Sequence, residues 1–324
     1  MKTDLYLLKF DPILKDKIWG GQKLKQLFNK NSPSSKTGES WEISDVEGND
    51  SIISNGKYKG KSIKWLLEEY GSQFVGKKVS EKFGTKFPLL IKFIDAAEAL
   101  SVQLHPNDKI AKERHNSFGK TEMWYIMQAD KDAEVIMGFK NKITKEDYQE
   151  LVKNNTLVDA LNSEKVKKGD SFIINPGFVH AIGAGVLLAE IQQTSDITYR
   201  IYDWDRVTDS GESRELHTDL ALDAIDLSHE GDFWIKYEER KNQSSKLYHN
   251  QYFKTNIIEL NSEITRDYSE LDSFVILMGV DGKSMVTFNG NQEELNQGET
   301  MLVPACITKI SIESQNSKIL EVSV

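Results

Sequence analysis

The sequence predicts a mainly β protein built as a β-sandwich or jelly roll. Short apolar runs rich in β-branched residues recur along the chain, and each is bounded by Gly, Pro, Asn or Asp. Helical periodicity is confined to a few segments, and the 324 residues are enough for two domains or one large one. The predicted strands are Ser51–Ile53, Pro88–Ile94, Ala133–Met137, Ser171–Ile174, Gly185–Gln192 and Thr198–Ile201.

Helices are predicted at three places. The segment Ser62–Gly71 begins with a capping Ser and ends at a Gly, with its apolar residues on one face. Thr144 heads a second segment in which Asp147, three residues on, forms a weaker version of the capping box. Leu157–Leu161 continues that helical insert, and Leu216–Ile225 is the third helix.

A polar, charged stretch at His229–Lys246 indicates a linker or extended connection. It divides the chain into a first domain, residues 1–240, with a helical insert at about 142–161, and a second domain, residues 241–324. The second domain shows alternating strands and a hairpin turn at Asn289–Gly290, and no convincing helix.

A weak internal repeat links the two predicted domains. Lys167–Ile182 and Asn296–Ile310 each run from a Gly-acid turn through an apolar strand to a Pro. Two related β-sandwiches are one explanation, and chance similarity between β-turn-β segments is the other. The second copy has no histidine where the first has His180.

Composition and charge narrow the class of protein. With 41 Lys and Arg against 50 Asp and Glu, the net charge is −9, which disfavours a nucleic-acid-binding role. No apolar run approaches the roughly 20 residues that span a bilayer, and the first residues lack the apolar core of a signal peptide. Cys306 is the single cysteine, which excludes an intrachain disulfide and a multi-cysteine zinc site. These features predict a cytoplasmic protein without a membrane partner; they do not predict its oligomeric state.

Four residues have the chemistry of metal ligands. Gln103 and His105 lie two apart on a predicted strand, so their side chains share a face, and a Pro follows at once. Glu122 precedes an aromatic-rich strand, and His180 follows a Pro-Gly turn. Each alone has an ordinary structural explanation. Together they offer two oxygens and two nitrogens, which suit a first-row divalent metal without distinguishing zinc from manganese or iron.

Longer motifs make a family resemblance specific. Over residues 8–225 the chain resembles the short bacterial form of type I mannose-6-phosphate isomerases. Beyond about residue 240 the likeness rests only on length and β-pattern. The motifs that carry it are KDKIWGG at Lys15–Gly21, GESWEIS at Gly38–Ser44, PLLIKFIDAAEALSVQLHPND at Pro88–Asp108, GKTEMWYI at Gly119–Ile126 and NPGFVHAIGAGVLLAEIQQTSDITYRIYDWDR at Asn175–Arg206.

The resemblance implies two cupin-type jelly-roll domains and one divalent metal, usually zinc. It also implies interconversion of mannose 6-phosphate and fructose 6-phosphate. By the same resemblance, the metal ligands are the four residues named above. The other matched positions are Lys92 and Ser101 for substrate binding, and Lys120, Asp196 and Arg200 for catalysis. The sequence departs from the long forms of the family at Gly119, where those carry a histidine.

The matched residues suit an aldose–ketose isomerisation through an enediol. This reaction needs a base for a C–H proton, an electrophile for the carbonyl oxygen and a group that holds phosphate. Arg200 offers permanently charged, planar donors, although a structural salt bridge with Asp196 or Asp203 is its alternative role. Two other functions compete: a non-catalytic sugar-phosphate-binding cupin regulator and an iron-dependent cupin dioxygenase. Gln103, Lys92 and Arg200 disfavour the dioxygenase.

Overall fold

The computed structural model describes residues 4–207, 211–227 and 233–324. In chain order, the strands before residue 203 are β1 (Phe10–Asp11), β2 (Ile13–Gly21), β3 (Thr37–Ile43), β4 (Asp45–Val46), β5 (Asn49–Asp50), β6 (Ile52–Ile53), β7 (Leu89–Ala96), β8 (Val102–Leu104), β9 (Glu122–Ala129), β10 (Glu134–Phe139), β11 (Leu161–Lys165), β12 (Ser171–Ile174), β13 (His180–Ile182), β14 (Val186–Gln193) and β15 (Tyr199–Tyr202). The later strands are β16 (Ser244–His249), β17 (Lys254–Leu260), β18 (Ile264–Asp267), β19 (Val275–Phe288), β20 (Asn291–Asn296), β21 (Thr300–Val303), β22 (Lys309–Glu313) and β23 (Ser317–Ser323).

Eight helices lie within the described ranges: α1 (Lys23–Phe28), α2 (Ile63–Tyr70), α3 (Ser72–Val75), α4 (Lys77–Phe83), α5 (Asp108–His115), α6 (Lys145–Lys153), α7 (Leu157–Ala160) and α8 (Thr218–Ala224). The three predicted helical regions are confirmed. The hydroxyl of Ser62 caps α2, and Thr144 and Asp147 form the full capping box of α6. Helices α1, α3, α4 and α5 were not predicted, because they are short or, like α5, bury a single residue and so lack an apolar stripe.

Strands dominate the chain, so the mainly β prediction is confirmed, and so is each predicted strand. The first part of the chain forms a six-stranded sheet in the order β12-β9-β14-β7-β2-β3 and a five-stranded sheet in the order β11-β10-β13-β8-β15. Strands β16 to β23 form a third sheet of eight strands. Its hairpin β19–β20 turns at Asn289–Gly290, where both residues have positive φ, as predicted.

The two sheets of the first part face each other across an apolar core. Trp124 and Ile126 of the six-stranded sheet and Val135 and Ile182 of the five-stranded sheet belong to one buried cluster. The outer face of the five-stranded sheet packs on α6, α7 and α8, so the predicted insert covers that face. The outer face of the six-stranded sheet packs against α2 to α4 and against the eight-stranded sheet.

The stretch predicted as a polar linker is partly a structural element. Residues 228–232 lie outside the described ranges. Beyond them, Trp234 pairs with Phe172 of β12, so the chain runs as an extra extended segment beside the six-stranded sheet. The end of the predicted linker is also corrected, because β16 already begins at Ser244. Aromatic packing and pairing with β12 and β17 override the polar composition here.

No helix of the described residues is long and apolar enough to cross a bilayer.

Candidate metal and substrate site

Alternation along the six-stranded sheet places a row of polar side chains on its inner face. In β9, Met123, Tyr125 and Met127 join the outer core, so Glu122 and Trp124 point inward. Glu190 of β14 lies opposite Lys92 of β7 on one side and opposite Trp124 on the other. Cross-strand register thus brings an acid, a lysine and an indole side by side.

The five-stranded sheet supplies the facing wall. His180 at the start of β13 lies opposite Gln103 of β8, and Gln103 lies opposite Arg200 of β15. His105 immediately follows β8 and is fully buried. Three predicted site residues therefore form a row across this sheet.

His105, Glu122 and His180 form a buried cluster whose ligand atoms all lie within 4.8 Å of one another. The Nε2 atom of His105 is 3.2 Å from Oε1 of Glu122, and Nε2 of His180 is 3.8 Å from Oε2. Lys120 Nζ lies 3.0 Å from Glu122 Oε1 on the other side. Two nitrogens and a carboxylate in this arrangement are a donor set for a divalent metal.

Hydrogen bonds on the far side of each ring fix the tautomers. Nδ1 of His105 donates to the carbonyl oxygen of Ile197 at 2.9 Å, and Nδ1 of His180 donates to that of Phe178 at 2.8 Å. Each Nε2 is therefore left with a lone pair: that of His105 faces Glu122, and that of His180 lies near both Glu122 and the Gln103 amide. This is the usual support for a metal-bound histidine.

The pKa shifts match the protonation states that ligands need. Burial, reinforced by the charge of Lys120, lowers the pKa of His105; burial and the neighbouring His105 lower the pKa of His180 to about 3. For Glu122, burial alone raises the pKa, but the charge of Lys120 and the neighbouring His105 outweigh burial and hold the pKa well below 4.5. The site thus presents two neutral imidazoles and a carboxylate.

The residues present fit a metal ion. Nε2 of His105 and both carboxylate oxygens of Glu122 are buried without a hydrogen bond of regular geometry, and a cation would satisfy all three. Gln103 lies beside them, with its Nε2 3.5 Å from Nε2 of His180. Its Oε1 accepts from the hydroxyl of Ser101, so ligation by this oxygen requires the amide to rotate.

The cluster borders a cavity of about 280 Å³. Seven of the nine predicted site residues line it, and His105 and Glu122 are buried behind its wall. The lining residues predicted from the sequence are Lys92, Ser101, Gln103, Lys120, His180, Asp196 and Arg200. One cavity therefore joins the cluster to the cationic side chains.

Several cavity residues were missed by sequence reasoning. Glu190 accepts a hydrogen bond at Oε1 from Trp124 Nε1 at 3.0 Å, and its Oε2 lies 3.2 Å from Lys92 Nζ. Burial, then the charge of Glu122, raise the pKa of Glu190. Glu190 could have been predicted from the sequence, because it is an acidic residue in the middle of an otherwise apolar strand.

Three tryptophans near the cavity are held by packing or by hydrogen bonds from the indole nitrogen. Trp41 is buried and donates from Nε1 to Glu39 Oε2 at 2.7 Å, and Lys92 lies over its ring. Trp204 donates to the carbonyl oxygen of Leu100 at 2.7 Å, and Trp19 is buried at the cavity wall.

The loop that carries Lys120 is held from both sides. Asp108 Oδ1 accepts from the backbone N–H of Gly119 at 2.9 Å, and Gln193 Oε1 accepts from that of Thr121 at 3.0 Å. A Cβ at Gly119 would lie 2.6 Å from the backbone nitrogen of Asp108. This contact gives a physical reason for glycine at that position.

Arg200 does not form either of the alternative salt bridges. Within the described residues, its guanidinium has no carboxylate at ion-pair distance; Nη1 donates to the carbonyl oxygen of Glu215 at 2.7 Å. Asp203 pairs instead with Arg206 and Arg214. Burial, then the charge of Arg214, lower the pKa of Arg200.

Comparison with known families agrees with this geometry. Residues 7–123 match the family described as phosphomannose isomerase type I, catalytic domain, and residues 243–323 match the mannose-6-phosphate isomerase cupin domain. The chain is 34% identical to the mannose-6-phosphate isomerase ManA of Bacillus subtilis, over 94% of this chain and 95% of the relative. It is 33% identical to the mannose-6-phosphate isomerase of Streptococcus mutans, over 90% of each chain.

The fold also matches a solved structure. The crystal structure of the mannose 6-phosphate isomerase from Bacillus subtilis superposes with a TM-score of 0.89 at 32% identity, covering 99% of this chain and 100% of the other. A phosphomannose isomerase from Salmonella typhimurium shares the fold, with a TM-score of 0.80 at 16% identity. The expected cupin-type fold is confirmed.

Proposed function

This chain belongs to the type I phosphomannose isomerase family, and from that premise we propose that it interconverts mannose 6-phosphate and fructose 6-phosphate. The observation that carries the proposal is that one cavity joins a His–Glu–His cluster, which reaches it through His180, to the guanidinium and ammonium groups along its wall. A metal-polarised sugar oxygen and a bound phosphate monoester need both.

The metal is proposed to be one zinc ion per chain, held by His105, Glu122, His180 and Gln103. Neutral imidazole nitrogens and a carboxylate are common zinc ligands. When bound, the metal supplies Lewis-acid polarisation of a substrate oxygen. Ser101, whose hydroxyl donates to the Gln103 oxygen at 3.3 Å, is proposed to bind the substrate beside it.

Positive charge in the cavity is proposed to stabilise the enediolate. Arg200 presents a planar guanidinium without a carboxylate partner on the described chain, so it can hold charge that develops during the reaction. Lys120 lies 3.0 Å from Glu122 and adds positive charge next to the metal cluster. Lys92 is proposed to bind the substrate, and Asp196, also on the cavity wall, to orient it.

Glu190 is the group we propose as the proton acceptor. Its carboxylate lies on the cavity wall, and its raised pKa makes it a stronger base than an ordinary glutamate. Lys92 and the Trp124 indole hold the side chain in place. Glu190→Gln keeps the shape and the indole contact while removing the base.

The test is turnover of mannose 6-phosphate in deuterated water with the zinc-loaded protein. We expect fructose 6-phosphate as product, with solvent deuterium at C1 or C2, and loss of turnover in Glu190→Gln. A protein that is fully loaded with metal and converts neither sugar phosphate would refute the isomerase proposal and favour a sugar-phosphate-binding regulator.

We also propose that the chain divides at about residue 240 into a catalytic domain, residues 1–240, and a second, degenerate jelly roll, residues 241–324. The eight-stranded sheet contains only strands from Ser244 onwards, and every proposed site residue precedes it. The second domain supports the first by covering the outer face of the six-stranded sheet.

A further inference from the structure

We propose that Arg214 binds the phosphate group of the substrate, at the edge of the five-stranded sheet beside Arg200. The inference rests on the proposed function and extends it by naming the phosphate end of the cavity. A hexose 6-phosphate carries its phosphate at the opposite end of the carbon chain from C1 and C2. The phosphate is therefore expected at the end of the cavity whose side chains carry excess positive charge.

The lysines nearest the metal cluster already have carboxylate partners. The pairs are Lys17 with Glu39 at 3.4 Å, Lys92 with Glu190 at 3.2 Å and Lys120 with Glu122 at 3.0 Å. Asp196 adds a further negative charge to the same cavity. The side chains at this end therefore carry no excess positive charge with which to hold a phosphate.

The arginine end has the opposite balance. Asp203 is the one buried carboxylate that the structure places among Arg200, Arg206 and Arg214, so three positive charges face one negative charge, 3 − 1 = +2. Two further acids nearby, Glu98 and Glu215, are 66% and 83% exposed, and solvent screens them. An excess of two charges matches a phosphate dianion.

The orientation of Arg214 leaves a donor edge for an anion. Its Nε donates to Oδ2 of Asp203 at 2.7 Å and its Nη2 to Oδ1 at 2.5 Å, so one edge of the guanidinium is fixed. The second edge, formed by Nη1 and Nη2, has no partner in the part of the chain that is described. A planar fork of this kind binds two phosphate oxygens at once.

Arg200 and Arg214 are held together by a short strap, residues 214–217. The backbone N–H of Arg200 donates to Nδ1 of His217 at 3.2 Å, and the backbone N–H of His217 donates to the carbonyl oxygen of Arg200 at 2.7 Å. Nε of Arg200 is buried without a hydrogen bond. Two neighbouring guanidiniums, both lining the cavity, repel each other, so an anion bound beside them is favourable.

Position along the sheet agrees with the length of the substrate. Arg200 lies on the edge strand β15, and His180 lies on β13, two strands away across β8. With neighbouring strands about 4.8 Å apart, the two backbones are about 10 Å apart. The reacting carbons can therefore lie between the metal cluster and Arg200 while the phosphate lies at Arg214.

The experiment compares Arg214→Ala and Arg214→Lys with Arg114→Ala, a control that removes an arginine paired with Asp223 outside the cavity. We measure kcat/KM for mannose 6-phosphate and for unphosphorylated mannose, and the Kd of inorganic phosphate by calorimetry.

Arg214→Ala should lower kcat/KM for the phosphorylated sugar by about 10- to 150-fold and raise the phosphate Kd similarly. The values for mannose should change by less than about two-fold. Arg214→Lys should recover part of the phosphate affinity, and the control should match the wild type.

Equal losses on both sugars with an unchanged phosphate Kd would overturn the inference and make Arg214 a structural partner of Asp203. A near-normal phosphate Kd in Arg214→Ala would overturn it as well. Because the calorimetry needs no turnover, a protein that binds phosphate through Arg214 but isomerises no sugar would support this inference while refuting the proposed function.

Discussion

Two buried glutamates, one in each half of the chain, have opposite surroundings. Glu122 in the first half has two buried oxygens without a regular hydrogen bond, facing two imidazole nitrogens. Glu321 in the eight-stranded sheet accepts from Arg266 at 2.8 and 3.0 Å and from the hydroxyl of Tyr268 at 2.8 Å. Ser244 and Asn256 complete its partners, at 2.7 and 3.1 Å.

This contrast indicates that the Glu122 cluster binds a ligand, whereas the Glu321 cluster stabilises the fold. A buried carboxylate without hydrogen bonds is unfavourable unless a ligand completes it, whereas a fully bonded one strengthens the fold. The Glu122 cluster therefore needs a metal, and the Glu321 cluster needs none. The variants below test this difference, from the largest expected effect to the smallest.

Loss of a histidine ligand should have the largest effect. His180→Ala removes one of two imidazole nitrogens, so metal content should fall and turnover should drop by about 1000-fold or more. Elemental analysis and a steady-state assay measure both. His249→Ala is the matched control, because His249 lies in the other half of the chain and its Nε2 bonds the half-buried Asn256 side chain. Full metal occupancy in His180→Ala would contradict the assignment.

Arg200→Lys should be nearly as severe although it keeps the charge. An ammonium cannot present two parallel donors, and losing such a contact in the transition state costs about 2–4 kcal/mol, or about 30- to 1000-fold in kcat. Metal content and Tm should stay close to those of the wild type. A near-normal rate would remove Arg200 from the mechanism and leave it as the anchor of the strap at residues 214–217.

Glu321→Gln should unfold more easily while catalysis is unaffected. Removing one charge of a largely buried ion pair with Arg266 costs about 3 kcal/mol, because the guanidinium loses its partner. Denaturant unfolding measures this loss, and kcat and metal content should match the wild type. Loss of metal from this variant would show that the two halves are not independent in function.

The contribution of Glu321 to the free energy of unfolding should depend on pH. Burial alone would raise the pKa of Glu321, but the hydrogen bonds and charge of Arg266 outweigh burial and hold the pKa below 4.5. The unfolded state then binds the proton more readily than the folded state, so the stabilisation is complete at neutral pH and is lost as pH falls below about 4.5. The gap in unfolding free energy between wild type and Glu321→Gln should narrow over that acidic range. A constant gap from pH 7 to pH 3 would contradict it.

The smallest effect is expected at the contact between the two halves. The hydroxyl of Tyr252 donates to Oδ2 of Asp108 at 2.7 Å, and Asp108 holds the loop that carries Lys120. Tyr252→Phe should cost about 0.5–1.5 kcal/mol of stability and lower kcat by no more than about ten-fold. Tyr248→Phe is the control, because the Tyr248 hydroxyl has no hydrogen-bond partner among the described residues. Equal kcat in both variants would show that Tyr252 does not influence the loop.

Sequence alone was sufficient for features with a local physical cause. Alternating apolar residues predicted the strands, and capping residues at Ser62 and Thr144 predicted two helix starts. Gln103 and His105 share the strand-end motif, Glu122 and His180 were candidates beside a strand and a turn, and the family resemblance assigned all four to the metal. Histidine, glutamate and glutamine side chains have metal-binding atoms wherever they lie in a fold, so the sequence is enough to identify them as candidate ligands. The cytoplasmic location and the absence of a nucleic-acid partner stay predictions.

Only the tertiary structure determined which charged side chains of the site form ion pairs with one another. Glu190 and Lys92 are 98 positions apart by number, and strand register makes them neighbours. Arg214 enters the cavity because Asp203 and β15 hold its strap there, which no local pattern indicates. Ion pairs depend on distance and burial, and both are set by packing between strands that are far apart in sequence. The sequence therefore determined which groups are available to the site, and the fold determined which charges are matched and which are left for a ligand.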